Sequence, residues 1–83
     1  MSSAILPADL GFFSTLASAG SLSAAARELG ITTPVVSKHL ALMESRAGVL
    51  LVTRSTRRMS LTPEGELYLE HARRILGEID GME

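Results

Sequence analysis

Side chains that grip phosphate and read base edges concentrate in two short stretches of this 83-residue chain. The first is TTPVVSK at 32–38, with hydroxyls at Thr32, Thr33 and Ser37 and an ammonium at Lys38. The second is RSTRR at 54–58, which supplies the guanidinium groups of Arg54, Arg57 and Arg58. Hydroxyls and cations at this density suit the backbone and groove edges of a nucleic-acid duplex. The competing reading of 54–58 is a solvated turn, and that of Lys38 a plain exposed helix charge. The use of Arg, a good partner of phosphates and narrow minor grooves, weighs toward contact. Catalysis finds little support. His39 and His71 are isolated from each other, no HExxH spacing occurs, and there is no cysteine and no Gly-rich phosphate loop. Both histidines are expected at a surface or interface, and no enzyme activity, metal site or cofactor is expected. Tyr68, Phe12 and Phe13 are the only aromatic residues, too few to stack a single strand.

The elements that must position these groups are legible around them. Residues 21–48 read as two helices joined by a tight turn. Ser23 suits an N-cap ahead of a helix over about 24–29, and Gly30 suits its left-handed stop. Thr32 caps a second helix over 33–47, Pro34 sits in its first turn, and Gly48 ends it. Val36, Leu40 and Met43 recur at helical spacing, which leaves Thr33, Val35, Ser37 and Lys38 outward. This is the pattern of a helix-turn-helix whose second helix enters a major groove. Arg27 faces out from the first of the pair, where a phosphate contact and an intrahelix ion pair fit equally well. Arg46 falls late in the second and reads as structural. Ahead of the pair, Pro7 to Gly20 forms a helix with Leu10, Phe13, Leu16 and Ala17 on one face. Phe12 lies off that face, half-exposed or covered by a later element.

Residues 49–61 change character. Leu50, Leu51 and Val52 pair back on Met59, Ser60 and Leu61 as a small hairpin, with the arginines at its tip. Thr62 then caps a long helix reaching Met82, with Pro63 at its first position and Glu64 and Glu66 complementing its positive end. Two apolar seams run along it, Tyr68–Ala72–Ile75–Ile79–Met82 and Leu69–Ala72–Leu76–Ile79. A domain this small covers one of them, so the seven residues are expected to form a dimer interface. Glu70–Arg74 and Arg74–Glu78 are i,i+4 pairs on the outer side.

The net charge of −1 conceals a division. Residues 1–62 carry six Lys/Arg against three Asp/Glu, and residues 63–83 carry two against six. The positive part coincides with the helix-turn-helix and hairpin, and the acidic helix points away from phosphates. No apolar run is long enough to span a bilayer, and the first seven residues lack the charge and length of a signal peptide, so a cytoplasmic protein is expected.

Three segments together, DLGFFSTLASAGSLSAAARELG (9–30), ITTPVVSKHLALME (31–44) and AGVLLVTRSTRRMSLTPEGELYLEHARRIL (47–76), resemble the N-terminal DNA-binding domain of LysR-type bacterial transcriptional regulators. The specific features are PxVS, an Arg after the wing strand, and LTxxGxxxLxxA. The resemblance implies a mainly α fold, a winged helix-turn-helix of three helices and a two-stranded wing over 1–61, and a linker and dimerisation helix over 62–83. It implies a homodimer on the interrupted dyad of a double-stranded operator. Thr33, Pro34, Val35, Ser37 and Lys38 would then face the major groove, Ser23 and Thr32 would meet phosphates, and Arg54 would border the minor groove. Thr33 stands where the family commonly has Gln, Lys38 where it has Arg, Val52 where it has Phe and Ala47 where it has Leu. Family members carry a large effector-binding domain, so no small-molecule effector site is expected within these 83 residues. The alternatives are a helical dimerisation module that binds no DNA, and a winged helix of another regulator family.

Overall fold

The computed structural model describes residues 7–54 and 59–81, with the backbone alone at 7, 54 and 78–81. The chain order is α1 (Pro7–Ala19), α2 (Leu22–Leu29), α3 (Thr33–Ala47), β1 (Val52–Arg54), β2 (Met59–Leu61) and α4 (Pro63–Gly81). It is a mainly helical winged helix-turn-helix with a long fourth helix, as the residue pattern predicts. The strands are antiparallel, with Val52 opposite Leu61, Thr53 opposite Ser60 and Arg54 opposite Met59.

α1 is the central element and packs on both α2 and α4. Leu10, Phe12, Phe13 and Leu16 are all buried, so its apolar surface is wider than one helical face. Phe12, the residue off the expected face, is covered by α3, where its ring stacks on His39 with centroids 3.9 Å apart. Phe13 meets Tyr68 of α4 edge-on at 5.0 Å. Val36, Leu40 and Met43 bring α3 into this core, and Ala25 and Ala26 let α2 lie close.

Two boundaries differ from the sequence expectation. α2 begins at Leu22, and its cap is Ser21, whose hydroxyl accepts from the Ala24 N–H at 3.1 Å. Ser23 is therefore an exposed residue of the first turn and not the cap. The earlier start places Leu22 against the core, a gain that a helix starting at 24 forgoes. The wing also begins later than expected. The Leu50 side chain is 64% exposed and pairs with no strand, because the backbone of residues 50–51 is engaged elsewhere. Leu51 N–H donates to Glu44 Oε2 at 2.8 Å, Leu51 C=O accepts from Thr62 N–H at 3.0 Å, and Leu50 C=O accepts from Thr62 Oγ1 at 2.6 Å.

Candidate nucleic-acid interface

α3 is anchored along one side and bare along the other. Its N-terminus is fixed by Thr32, whose Oγ1 accepts from Val35 N–H at 3.4 Å, with Pro34 in the first turn. The turn before it closes on Gly30 at φ +71°, a conformation that glycine adopts without steric cost. Ile31 N–H then donates back to Ala26 C=O at 3.0 Å, which locks α2 and α3 at a fixed crossing. Gly48 ends α3 as expected, donating its N–H to Glu44 C=O at 2.8 Å.

The bare side carries the residues singled out from the sequence. Thr32, Thr33, Pro34, Val35 and Lys38 are exposed and Ser37 half-exposed, all within the first two turns of α3 or at its cap. Ser23 and Arg27 are exposed on α2. At the wing, Arg54 closes β1, with only its backbone described, and Arg57 and Arg58 lie outside the described residues. The N-termini of α2 and α3, capped by Ser21 and Thr32, carry the partial positive charge of a helix start, of the kind that favours phosphate.

Three polar anchors hold this surface in place, and of these the sequence reading identified only Thr62, as the cap of α4. Asp9 on α1 is 2% exposed, and its carboxylate accepts from Arg46 Nη2 and bonds His39 Nε2 at 2.9 Å. Arg46 is thus structural, as expected, while His39 is a half-buried packing residue rather than a surface one. Glu44 accepts from both Leu51 N–H and Val52 N–H through Oε2, at 2.8 and 3.2 Å, and ties the C-terminal half of α3 to the wing. Thr62 caps α4 by accepting from Gly65 N–H at 3.0 Å while bonding residues 50 and 51. The available signal for Asp9 was a single carboxylate embedded in the apolar run ADLGFF. Glu44 carried no such signal.

α4 requires a correction. Tyr68, Leu69 and Ala72, expected at a dimer interface, lie in the protomer's own core. Their face meets α1, where Tyr68 packs on Phe13. Tyr68 is 9% exposed, and its hydroxyl is buried without a hydrogen-bond partner among the described residues. Burial, reinforced by the Asp9 carboxylate and opposed by the Arg46 guanidinium, pushes its pKa up to about 12. Ile75 is 37% exposed and Leu76 partly packed on the core. The side chain of Ile79 and all of Met82 lie outside the described residues. Glu70 and Arg74 pair at 3.7 Å on the outer side, as expected, and His71 is exposed. Among the described residues no helix is long and apolar enough to cross a membrane, and no group of His, Cys, Asp or Glu is placed to hold a metal ion.

A helix-turn-helix with an uncovered leading edge, a wing and a long fourth helix defines a winged helix-turn-helix protein. The family profile described as bacterial regulatory helix-turn-helix protein, lysR family, matches residues 7–66. The chain belongs to that family. The HTH-type transcriptional regulator PtxR of Pseudomonas aeruginosa is 45% identical over 69 residues, which cover 83% of this chain and 22% of that protein. An uncharacterized HTH-type transcriptional regulator of Mycobacterium tuberculosis is 50% identical over 68 residues, covering 82% of this chain and 22% of that protein. The chain thus spans about a fifth of the length of these curated relatives. Among solved structures, the BenM DNA-binding domain in complex with catB site 1 DNA superposes with a TM-score of 0.85 at 28% identity, covering 94% of this chain and 88% of that one. The complex of the CbnR DNA-binding domain with DNA gives 0.83 at 37% identity, with the same coverage of both chains.

Proposed function

We propose that this chain is a sequence-specific binder of double-stranded DNA that serves a bacterial LysR-type transcriptional regulator, acts in the cytoplasm and catalyses no reaction. The carrying observation is the one-sided anchoring of α3. Val36, Leu40 and Met43 are buried while Thr33, Pro34, Val35 and Lys38 on the leading edge are left uncovered. Lys38 supplies a base or phosphate contact, the hydroxyl caps and Arg27 engage the flanking backbone, and Arg54, Arg57 and Arg58 of the wing meet the adjacent groove.

The dyad reading requires two copies. Residues 62–83 are proposed as the linker helix, with the stripe through Ile75, Leu76, Ile79 and Met82 pairing with its own copy across a two-fold axis. The support is that the apolar stripe of the sequence continues past the buried Ala72 to Ile75, which is exposed. Pairing of this kind sets the two α3 helices on one face of the duplex, about 34 Å or a multiple apart.

The test is selection of duplexes from a randomised pool, followed by anisotropy titration at rising salt. Steep weakening is expected, on the order of a thousandfold between 50 and 200 mM salt for a dimer with about six phosphate contacts. A chain that retains no duplex at low salt refutes the reading. Binding by a chain that sediments as a monomer, free and on DNA, removes the dimer while leaving the DNA contact.

A further inference from the structure

Adenine is ordinarily read in the major groove by Asn or Gln, which bond N6 and N7 together. This chain contains not one Asn or Gln in 83 residues. Along α3 the only guanidinium is that of Arg46, and it is committed to Asp9. The polar side chains of residues 33–38 are those of Thr33, Ser37 and Lys38. Apolar surface stands beside them. Val35 is 49% exposed although the adjacent Val36 is fully buried, and the exposed Thr33 carries a γ-methyl group. Both sit on a turn whose backbone is fixed by Thr32 and Pro34, so their branched side chains are presented with little freedom to lose. The other large exposed hydrophobic residue of α3, Leu42, lies seven residues on, about 10 Å farther along the axis.

We infer that this chain reads A·T pairs in the major groove from the thymine side, through contact of Val35 and Thr33 with the C5-methyl group. Lys38 is then the one long donor for a neighbouring guanine, whose O6 and N7 both accept. The inference rests on the DNA-binding reading above and adds the chemical basis of its specificity.

The experiment starts from a duplex selected by the whole chain. Each thymine of a half-site is replaced in turn by deoxyuridine, which deletes the methyl group and leaves base pairing intact. Affinity is expected to fall about fourfold at one or two positions, the amount that burial of one methyl group supplies. Val35→Ala is expected to weaken the thymine duplex and to erase the thymine–uridine difference at one of those positions, with Thr33→Ser acting likewise at the other where two are found. Circular dichroism checks that the variants remain folded. Equal affinity for thymine and uridine at every position overturns the inference. So does full discrimination that persists in a Val35→Ala, Thr33→Ser double variant. Failure of the parent chain to retain any duplex sinks the DNA-binding reading itself and this inference with it.

Discussion

Replacing Gly65 by alanine should unfold this domain more readily, against the usual effect of that substitution in a helix. Gly65 is buried in the first turn of α4, where it meets the backbone of Leu51. A Cβ built there would stand 2.0 Å from the Leu51 carbonyl oxygen and 3.0 Å from its carbon. Ordinary contact begins near 3.4 Å, so helix and strand must part by more than an ångström. The same carbonyl accepts from Thr62 N–H, and Thr62 Oγ1 donates to Leu50 C=O, so the separation breaks the seam joining α4 to the wing. Overpacking against backbone costs about 3 kcal/mol, and the two hydrogen bonds add about 1 kcal/mol each. The better helix propensity of alanine returns at most about 1 kcal/mol. The net loss is roughly 4–5 kcal/mol, a large share of the ~4–12 kcal/mol expected for a domain of this size. In a thermal melt followed by circular dichroism this lowers the midpoint by roughly 16–40 °C. Gly11→Ala and Gly77→Ala are internal controls, since both glycines are exposed helical positions with nothing within 4 Å of the added carbon. Each is expected to hold or raise the midpoint. A Gly65→Ala protein that melts at or above the parent refutes the reasoning, because it shows that the Leu51 carbonyl is not pinned against α4.

Four other substitutions test the core, the buried ion pair, the exposed edge of α3 and the outer side of α4. Tyr68→Phe should be neutral or stabilising by up to about 1 kcal/mol, because it removes a buried hydroxyl that has no partner among the described residues. In the parent, stability is fully present below pH 10, the unfolded value, and is lost progressively toward the folded value of about 12, since only the unfolded chain ionises in between; urea melts across this window should show the fall, and Tyr68→Phe should flatten it. Arg46→Met should cost about 2 kcal/mol by leaving the buried Asp9 carboxylate short of its cationic partner, and an unchanged urea midpoint would show that the pair is idle. Lys38→Ala should weaken the selected duplex more than random DNA by about 1–3 kcal/mol if it meets a base edge, whereas uniform weakening with a reduced salt slope assigns it to phosphate. If α4 pairs with its own copy as proposed, Ile75→Asp should leave a folded monomer with weakened binding to the selected duplex, read by sedimentation and anisotropy, and a variant that dimerises like the parent would clear Ile75 from the proposed interface.

Much of this architecture could be read from periodicity and punctuation. Gly20, Gly30 and Gly48 all take positive φ where the helices were expected to stop, and Thr32, Pro34, Thr62 and Pro63 open helices as their chemistry predicts. The failures share a physical origin. Ser21 and Ser23 have the same capping chemistry, and the choice between them was made by the packing of Leu22, a tertiary effect. The α4 seams were read as alternatives, one for the core and one for a partner, but Tyr68, Leu69 and Ala72 of both seams face the core together. An apolar stripe wide enough to wrap α1 looks, in one dimension, like two narrow ones. The Asp9–His39–Arg46 cluster spans 30 and 37 residues of sequence, so no local pattern announces it.

The anchors of α3 explain how so short a chain presents a rigid reading surface. Its core residues fix depth, but apolar contacts alone leave a helix free to rotate by small amounts and slide. Three directional contacts from three other elements remove that freedom. Asp9 of α1 holds His39 and Arg46 on one flank, Glu44 reaches the wing from the other, and the α2 turn closes on the N-terminus through Ile31 N–H to Ala26 C=O. None of these uses Thr33, Pro34, Val35 or Lys38. Substitutions on the leading edge can therefore change which sequence is bound without changing stability, whereas substitutions at Asp9 or Glu44 should lower affinity for every sequence alike by loosening the helix. That separation of roles is itself measurable. Glu44→Gln removes the charge but keeps an acceptor oxygen for Leu51 and Val52, so it should hold the wing nearly in place. Glu44→Ala should free the start of β1, speed amide exchange at Leu51 and Val52, and weaken specific and random duplexes by the same factor. A Glu44→Ala protein that altered sequence preference while leaving those two amides protected would show that Glu44 acts on the DNA and not on the wing.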